Sequence, residues 1–174
     1  FRKVKRIPDV INVFYNIHKV VPSKLLMIGD GPERNEAEET CRELKICDDV
    51  RFLGKLEAVE EVLSVADLFL MPSEKESFGL AALEAMACEV PVISSNTGGI
   101  PELNVQGLTG FMSNVGDVED MTKNALIILD KNNLPTFKAN ALKRAQEFDI
   151  TNILPQYEAY YEEVMAKSGK LALK

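Results

Sequence analysis

The chain has 174 residues, 46% of them hydrophobic and 27% charged, and its formal net charge is -7. This length predicts one domain with a substantial core, and the composition is that of a soluble globular protein. The acidic balance argues against nucleic acid as the main partner, because nucleic-acid-binding domains carry basic surfaces. It does not exclude a small anionic ligand, since one site can be locally positive on an acidic protein.

The cysteines and the single histidine argue against several kinds of site. Cys41, Cys47 and Cys88 lack the spacing of a metal site, so we expect reduced thiols in a cytoplasmic protein, with Cys41 and Cys47 as packing residues. One histidine, His18, gives little basis for a Ser-His-Asp triad or a histidine-rich metal site. We also expect no integral membrane segment and no signal peptide.

The first part of the chain alternates predicted helices with short apolar strands. Apolar patterning predicts helices over residues 8–20, 33–45 and 55–64, and strands over residues 25–28 and 50–53. The first strand ends at Gly29-Asp-Gly-Pro, which is not a dinucleotide fingerprint because Arg34 stands where the third glycine belongs. The residues alone therefore favour a tight strand-to-helix turn there.

The most informative stretch is Ser-Glu-Lys-Glu-Ser-Phe-Gly-Leu-Ala-Ala-Leu-Glu-Ala-Met-Ala, residues 73–87. It follows a predicted strand over residues 67–71, and residues 78–87 form a predicted helix that is apolar almost all round. Glu84 is therefore predicted to be a buried carboxylate that needs either an internal donor or a ligand with hydroxyl groups. The helix N-terminus near residues 77–80 would offer N–H groups to an anion.

The second part of the chain continues the alternation. Strands are predicted over residues 90–94 and 110–112, a short helix from Ile100, and helices over residues 118–129, 134–148 and 153–165. The last helix carries Tyr157, Tyr160 and Tyr161, which form either part of the core or a partly uncovered face. Residues 166–174 are predicted to be a frayed tail.

This alternation predicts an α/β fold with a doubly wound parallel sheet. In such sheets ligands bind outside the carboxyl ends of the strands. The loops at residues 29–32, 54–56, 73–79 and 96–99 all follow predicted strands and should meet at that one edge. A binding site is therefore expected there, although each loop taken alone is equally compatible with a plain turn.

Four sequence blocks, in order, resemble the family-4 retaining glycosyltransferases. Glu76-Ser-Phe-Gly-Leu-Ala-Ala-Leu-Glu84 resembles the E-x7-E signature of that family, and the residues from Pro91 to Glu102 resemble its next block. Gly29-Asp-Gly-Pro and Val50-Arg-Phe-Leu-Gly occur in the family's order. The resemblance spans residues 1–165 and implies a Rossmann-like domain, the C-terminal, donor-binding half of a GT-B glycosyltransferase. The acceptor domain would lie outside this chain.

The resemblance also implies roles for individual residues. Glu84 would accept hydrogen bonds from the ribose hydroxyls, and Glu76 would face the donor sugar. Arg2 and Lys5 would neutralise the leaving diphosphate without a metal ion, although the family's usual glycine after the lysine is Arg6 here. The other implied donor-binding residues are Ser77, Phe78, Gly79 and Leu80 near the sugar or diphosphate, Gly29, Gly31, Gly98 and Gly99 in glycine loops, and Phe52, Leu53 and Leu56 near the nucleobase.

Within this family, the stretches at residues 1–7 and 73–81 are similar to members that use UDP-N-acetylglucosamine and the small hydroxy acid L-malate in bacillithiol biosynthesis. The resemblance implies those substrates, with the acceptor held mainly by the other domain. Transfer to a lipid or polysaccharide, and a non-catalytic nucleotide-sugar-binding module, are the alternatives. The chain alone is expected to bind nucleotide without transferring sugar. Its oligomeric state, and a front-face as opposed to a covalent mechanism, stay open.

Overall fold

The computed structural model describes residues 1–167, which form an α/β arrangement of short strands and longer helices. The strands are β1 (Leu25–Ile28), β2 (Val50–Gly54), β3 (Phe69–Met71), β4 (Val92–Ser95) and β5 (Gly110–Ser113). The helices are α1 (Ile7–His18), α2 (Arg34–Glu43), α3 (Val59–Leu63), α4 (Leu80–Ala87), α5 (Ile100–Leu103), α6 (Val118–Ile128), α7 (Leu134–Glu147) and α8 (Ile150–Lys167). The predicted alternation of strands and helices is confirmed.

The strands pair in parallel, as predicted, but they form two sheets. β1 pairs with β2, beginning at Leu25 opposite Val50. The second sheet has the order β3-β4-β5, with Phe69 opposite Val92. Over residues 1–167, no ladder joins β1 to β3, so the sheet is divided where a single continuous one was expected.

The first residues of the chain lie at the carboxyl ends of both sheets. The amino group of Phe1 hydrogen-bonds to the carbonyl oxygen of Asp30, just beyond β1. Beyond β3, the N–H of Glu74 donates to the carbonyl oxygen of Val4 at 2.8 Å. This basic segment (residues 1–6) therefore joins the two edges where the sequence predicted a ligand site.

Helices cover both faces of the second sheet because neighbouring strand residues point in opposite directions. Ile93 packs with Val13 of α1 and Met121 of α6. The preceding residue, Val92, packs with Met86 of α4 and Ala141 of α7 on the other face. This arrangement confirms the doubly wound architecture and leaves the carboxyl ends of the strands for the loops.

A buried polar network holds β4 and β5 together at Asn104, the residue after α5. The Asn104 side chain is fully buried, and its Nδ2 lies 2.9 Å from Ser94 Oγ and 3.2 Å from the carbonyl oxygens of Val92 and Phe111. Its Oδ1 accepts a hydrogen bond from Thr109 Oγ1 at 3.0 Å. The network satisfies polar groups that would otherwise be costly to bury.

Two helices show the largest differences in length from the sequence prediction. α3 covers only Val59–Leu63, whereas residues 55–64 were predicted. Gly54 adopts φ +72° at the end of β2. The Leu56 side chain, predicted to lie on the inner side of the helix, is instead 37% exposed. The segment before α3 therefore has no core contact to hold it in a helix. α8 is longer than predicted and continues through Lys167, so residues 166 and 167 are not a frayed tail.

α8 leaves its aromatic face uncovered over residues 1–167. Tyr157, Tyr160 and Tyr161 are each about 60% exposed, so the idea that they form this domain's own core is wrong. The remainder of the predicted tail, residues 168–174, lies outside the described residues. Among residues 1–167, no helix combines the length and the apolar character needed to cross a membrane.

Candidate functional site

An open cavity of about 410 Å³ lies between the basic segment and the loop that joins β3 to α4. Its lining is strongly polar. The lining residues are Arg2, Val4, Lys5, Lys75, Glu76 and Ser77. The cavity thus brings together Arg2, Lys5 and Glu76, the three residues predicted for catalysis.

Lys5 and Glu76 form an ion pair inside this cavity. Lys5 Nζ donates to Glu76 Oε2 at 2.5 Å. The Glu76 side chain is only 15% exposed, and that of Lys5 is 38% exposed. A partly desolvated pair is stronger than one on the open surface, because less water screens the charges. The cation and the carboxylate therefore neutralise each other within the cavity.

The β3–α4 loop is held on both sides by backbone and side-chain contacts. On one side, the N–H of Glu74 bonds to Val4, as described above. On the other side, Thr97 Oγ1 donates to the carbonyl oxygen of Glu74 at 3.1 Å, and the N–H of Gly99 donates to that of Ser77 at 3.1 Å. Thr97 was not identified from the sequence, because its partner is 23 residues away.

Gly98 and Gly99 pack against that loop. A Cβ at Gly98 would lie 1.6 Å from the carbonyl oxygen of Glu76, and one at Gly99 would lie 2.3 Å from that of Ser77. Real Cβ atoms do not approach so closely, so these positions require glycine for the contact between the two loops. Gly98 and Gly99 thus allow a close approach, as expected, but the partner is the backbone of the neighbouring loop. Their contact with the nucleotide-sugar stays a prediction.

α4 begins immediately beside the cavity. Gly79 precedes the helix with φ +97°, a conformation that favours glycine, and no side chain caps the first turn. The ring of Phe78 packs on Phe148 with centroids 5.5 Å apart, while Leu80 is 65% exposed. Helix geometry leaves the first N–H groups of α4 without intrahelical partners, so they are available to an anion.

The prediction that Glu84 is buried is wrong. α4 buries Ala82, Ala85 and Met86 against the core, whereas Glu84 lies on the opposite, exposed side. That side also carries Leu80, Ala81 and Ala87. These apolar residues made the helix appear buried all round. Over residues 1–167, the Glu84 carboxylate makes no hydrogen bond or ion pair, so it is free to accept hydrogen bonds from a ligand.

The glycine loop after β1 is closed over by the first residue. A Cβ at Gly31 would lie 2.3 Å from the backbone nitrogen of Phe1, and one at Gly29 would touch the Phe1 ring at 3.5 Å. Phe1 also contacts the ring of Phe52 edge-on, with centroids 6.3 Å apart. Gly29, Gly31 and Phe52 therefore form one packed unit around Phe1, at the edge of the first sheet.

The other two residues implied for the nucleobase remain accessible. Leu53 is 38% exposed and Leu56 37% exposed. Phe52 itself is partly buried, and the Arg34 guanidinium lies 5.5 Å from its ring centroid. The loop after β2 can thus offer apolar side chains and backbone groups, whereas the Phe52 ring already has partners.

Arg6 occupies the position of the family's glycine and adopts a glycine-like conformation, with φ 50° and ψ 52°. Its Nε donates to Asp9 Oδ2 at 2.5 Å. The hydrogen bond to Asp9 raises the pKa of Arg6, burial opposes this rise, and the charges of Asp9 and Glu74 add to it. The pairing with Asp9 offsets the cost of a left-handed backbone at a residue with a Cβ.

The thiols are divided between the core and the surface. Cys41 is buried, as predicted, but Cys47 is exposed, so its assignment as a packing residue is wrong. Burial raises the pKa of the Cys41 thiol to about 11, with a smaller contribution from Cys47. Over residues 1–167, no cluster of three or more His, Cys, Asp or Glu side chains is arranged to hold a metal ion.

Comparison with known proteins identifies the relatives of this chain. The sequence model of the family "Glycosyl transferases group 1" matches residues 1–146. The chain is 44% identical over 178 aligned residues to the N-acetyl-alpha-D-glucosaminyl L-malate synthase of Bacillus anthracis, covering 98% of the chain and 46% of that enzyme. It is 30% identical to the glycogen synthase of Mycobacterium tuberculosis, with 95% of the chain and 41% of the relative covered.

Solved structures show the same fold. The Anabaena protein HepE in complex with UDP and glucose superposes with a TM-score of 0.82 at 25% identity, covering 94% of this chain and 46% of HepE. The pneumococcal O-GlcNAc transferase GtfA, in complex with UDP and GlcNAc, superposes with a TM-score of 0.84 at 21% identity, covering 94% of this chain and 34% of GtfA. The chain spans less than half the length of each of these relatives.

Proposed function

Since this chain belongs to the glycosyl transferases group 1 family, we propose that it is the donor-binding domain of a retaining glycosyltransferase that uses a UDP-sugar. The observation that carries the proposal is the cavity in which Arg2, Lys5 and Glu76 meet beside the start of α4. It lies at the carboxyl edge of the strands, where doubly wound folds bind nucleotides.

The chemistry of this cavity suits a sugar diphosphate. Arg2 and Lys5 provide positive charge for the diphosphate, and the first N–H groups of α4 add donors for anionic oxygens. These fixed cations would stabilise the negative charge that develops on the leaving diphosphate. Such electrostatic stabilisation is a major contribution to catalysis by enzymes. The proposal assigns this stabilisation to the protein's own cations and requires no metal ion.

The two carboxylates would hold the hydroxyl groups of the donor. Glu84 is exposed and its carboxylate accepts no hydrogen bond from residues 1–167, so it can receive hydrogen bonds from the ribose hydroxyls. Glu76 projects into the cavity beside Lys5 and can receive hydroxyls of the sugar. Hydrogen bonds to a charged acceptor are stronger than those between neutral groups, so carboxylates bind sugar hydroxyls effectively.

We further propose UDP-N-acetylglucosamine as the donor and L-malate as the acceptor, with bacillithiol biosynthesis in the cytoplasm as the setting. The support is the 44% identity to a protein named for the transfer of this sugar to L-malate. The HepE and GtfA structures, which contain UDP, support the choice of nucleotide. The acceptor would be bound mainly by a part of the protein outside this chain, because the chain spans 46% of the related synthase.

Calorimetric titration of the chain with UDP, GDP and ADP tests the donor-site proposal. The expected result is selective binding of UDP, and of UDP-N-acetylglucosamine in preference to UDP-glucose. Binding of GDP or ADP as tight as that of UDP would contradict the choice of nucleotide. Sugar transfer to L-malate by this chain alone would contradict the proposal that another part of the protein binds the acceptor.

A further inference from the structure

The Lys5–Glu76 ion pair occupies the cavity in which the proposed function places both the diphosphate and the sugar. The two atoms Nζ and Oε2 lie 2.5 Å apart. The Lys5 ammonium has three N–H donors and the Glu76 carboxylate has two oxygens, so a ligand can contact each group while the two stay paired. The negative charge of Glu76 nevertheless cancels much of the positive charge that Lys5 would offer to a diphosphate, so the diphosphate competes with Glu76 for Lys5. The net cost of this competition depends on what the ligand offers to Glu76.

We propose that this pair determines specificity, by making the site prefer an intact nucleotide-sugar over the free nucleoside diphosphate. The proposal rests on the proposed function and deepens it. The diphosphate replaces Glu76 as the partner of Lys5. Only a ligand that also carries sugar hydroxyls replaces Lys5 as the partner of Glu76.

The free diphosphate leaves Glu76 in an unfavourable state. The Glu76 side chain is 15% exposed, so water can hydrate the freed carboxylate only in part. The incoming phosphates are also anionic, and they repel a carboxylate within the same cavity. Sugar hydroxyls remove much of this cost, because they donate hydrogen bonds to the freed carboxylate.

Glu76 cannot avoid this cost by moving with its loop. Gly98 and Gly99 press against the carbonyl oxygens of Glu76 and Ser77 on one side. On the other side, the N–H of Glu74 bonds to Val4, which is adjacent to Lys5 in the chain. Arg6, the neighbouring cation, is already bound to Asp9. Among residues 1–167, Lys5 is thus the cation that lies within ion-pair distance of Glu76.

The test compares Glu76→Gln with Glu74→Gln, using UDP and UDP-N-acetylglucosamine as calorimetric probes. Both substitutions remove one negative charge from the same loop, but Glu74 is exposed and makes no ion pair with Lys5. In the parent chain, UDP-N-acetylglucosamine should bind more tightly than UDP. Glu76→Gln should strengthen UDP binding about two- to five-fold, the range of a partly exposed ion pair, and should reduce the advantage of the sugar nucleotide.

The control and a double-mutant cycle complete the test. Glu74→Gln should leave the affinity ratio of the two ligands unchanged. In a Lys5→Gln background, Glu76→Gln should no longer strengthen UDP binding, because no cation remains to be released. Circular dichroism checks that each variant is folded.

Two results would overturn the inference. Unchanged or weaker UDP binding by folded Glu76→Gln would show that the pair does not oppose the free diphosphate, while the donor-site proposal would survive. Failure of the parent chain to bind either UDP or UDP-N-acetylglucosamine would overturn both proposals, and would thus be distinguishable from the first result.

Discussion

Gly98 lies against the backbone of Glu76, so closely that a Cβ at position 98 would stand 1.6 Å from the Glu76 carbonyl oxygen. The neighbouring residue Thr97 adds a hydrogen bond to Glu74, and Gly99 adds one to Ser77. Three consecutive residues of the β4–α5 loop thus fix the position of the loop that carries Glu76. The geometry of the candidate site depends on this contact between two loops.

Gly98→Ala should displace the Glu76 loop and weaken binding of the nucleotide-sugar about ten-fold or more, with a loss of about 1–3 kcal/mol in the free energy of unfolding. Calorimetry and urea denaturation measure the two effects. Gly107→Ala is the matched control: Gly107 has φ +72° compared with +55° at Gly98, but its Cβ would meet only a Phe111 ring carbon at 3.9 Å. Equal losses of affinity in the two variants would show that backbone strain, and not loop contact, is responsible.

Asn104→Ala should lower the free energy of unfolding by about 2–4 kcal/mol, because it leaves several buried polar groups without a partner. These groups include Ser94 Oγ and Thr109 Oγ1. Urea denaturation measures the change. Asn140→Ala is the control, since Asn140 makes one exposed hydrogen bond, to Leu108. A loss no larger than that of the control would contradict the role of Asn104 as the centre of the network.

Cys47 should react with iodoacetamide well before Cys41 in the folded chain at pH 8. Cys47 is exposed, whereas Cys41 is buried and its pKa is raised to about 11, so its reactive thiolate is rare at that pH. Because the folded pKa lies above the ordinary value of 9.0, the contribution of Cys41 to stability is complete below about pH 9 and is lost as the pH rises through about 11. Peptide mass spectrometry determines the order in which the two cysteines are labelled. Equal rates in the folded chain, matching those of a urea-unfolded control, would contradict the prediction.

Asp49 should stabilise the fold at neutral pH through Lys24. The hydrogen bond from Lys24 lowers the pKa of Asp49 below its ordinary value of 3.8, and burial opposes this shift. The stabilisation is therefore present above the ordinary value and is lost as the pH falls through the lower folded pKa. Asp49→Asn should reduce the melting temperature at pH 7 but have little effect at pH 2. A constant difference across this range would contradict the linkage.

The fold class could be predicted from the sequence because it depends on local patterns of apolar and turn residues. Apolar runs and the turns after them predicted parallel strands, and the common carboxyl edge predicted that the loops at residues 73–79 and 96–99 would meet, as they do. The placing of Lys5 and Glu76 in one site was implied only by the family resemblance. The pattern could not show that Glu84 is exposed, because Ala81 and Ala87 are apolar yet lie on the uncovered side of α4. Apolar periodicity identifies which face is buried only where the other face is polar.

Contacts between residues far apart in the sequence could not be predicted either. The hydrogen bond of Thr97 with Glu74 and the network of Asn104 join segments whose proximity follows from tertiary packing. Short polar side chains in loops have no periodicity that marks them in advance. The division into two sheets was also not predicted, because strand patterns do not specify which edges pair.

The central claim is that this chain binds a uridine diphosphate through Glu84, and titration of UDP into the parent chain and Glu84→Gln tests it most directly. The exposed Glu89, two residues beyond the end of α4, provides Glu89→Gln as the control. We expect Glu84→Gln to weaken UDP binding about ten-fold or more, as hydrogen bonds to a charged group are lost, with the melting temperature unchanged. Undiminished UDP affinity in Glu84→Gln, or no UDP binding by the parent chain, would contradict the account.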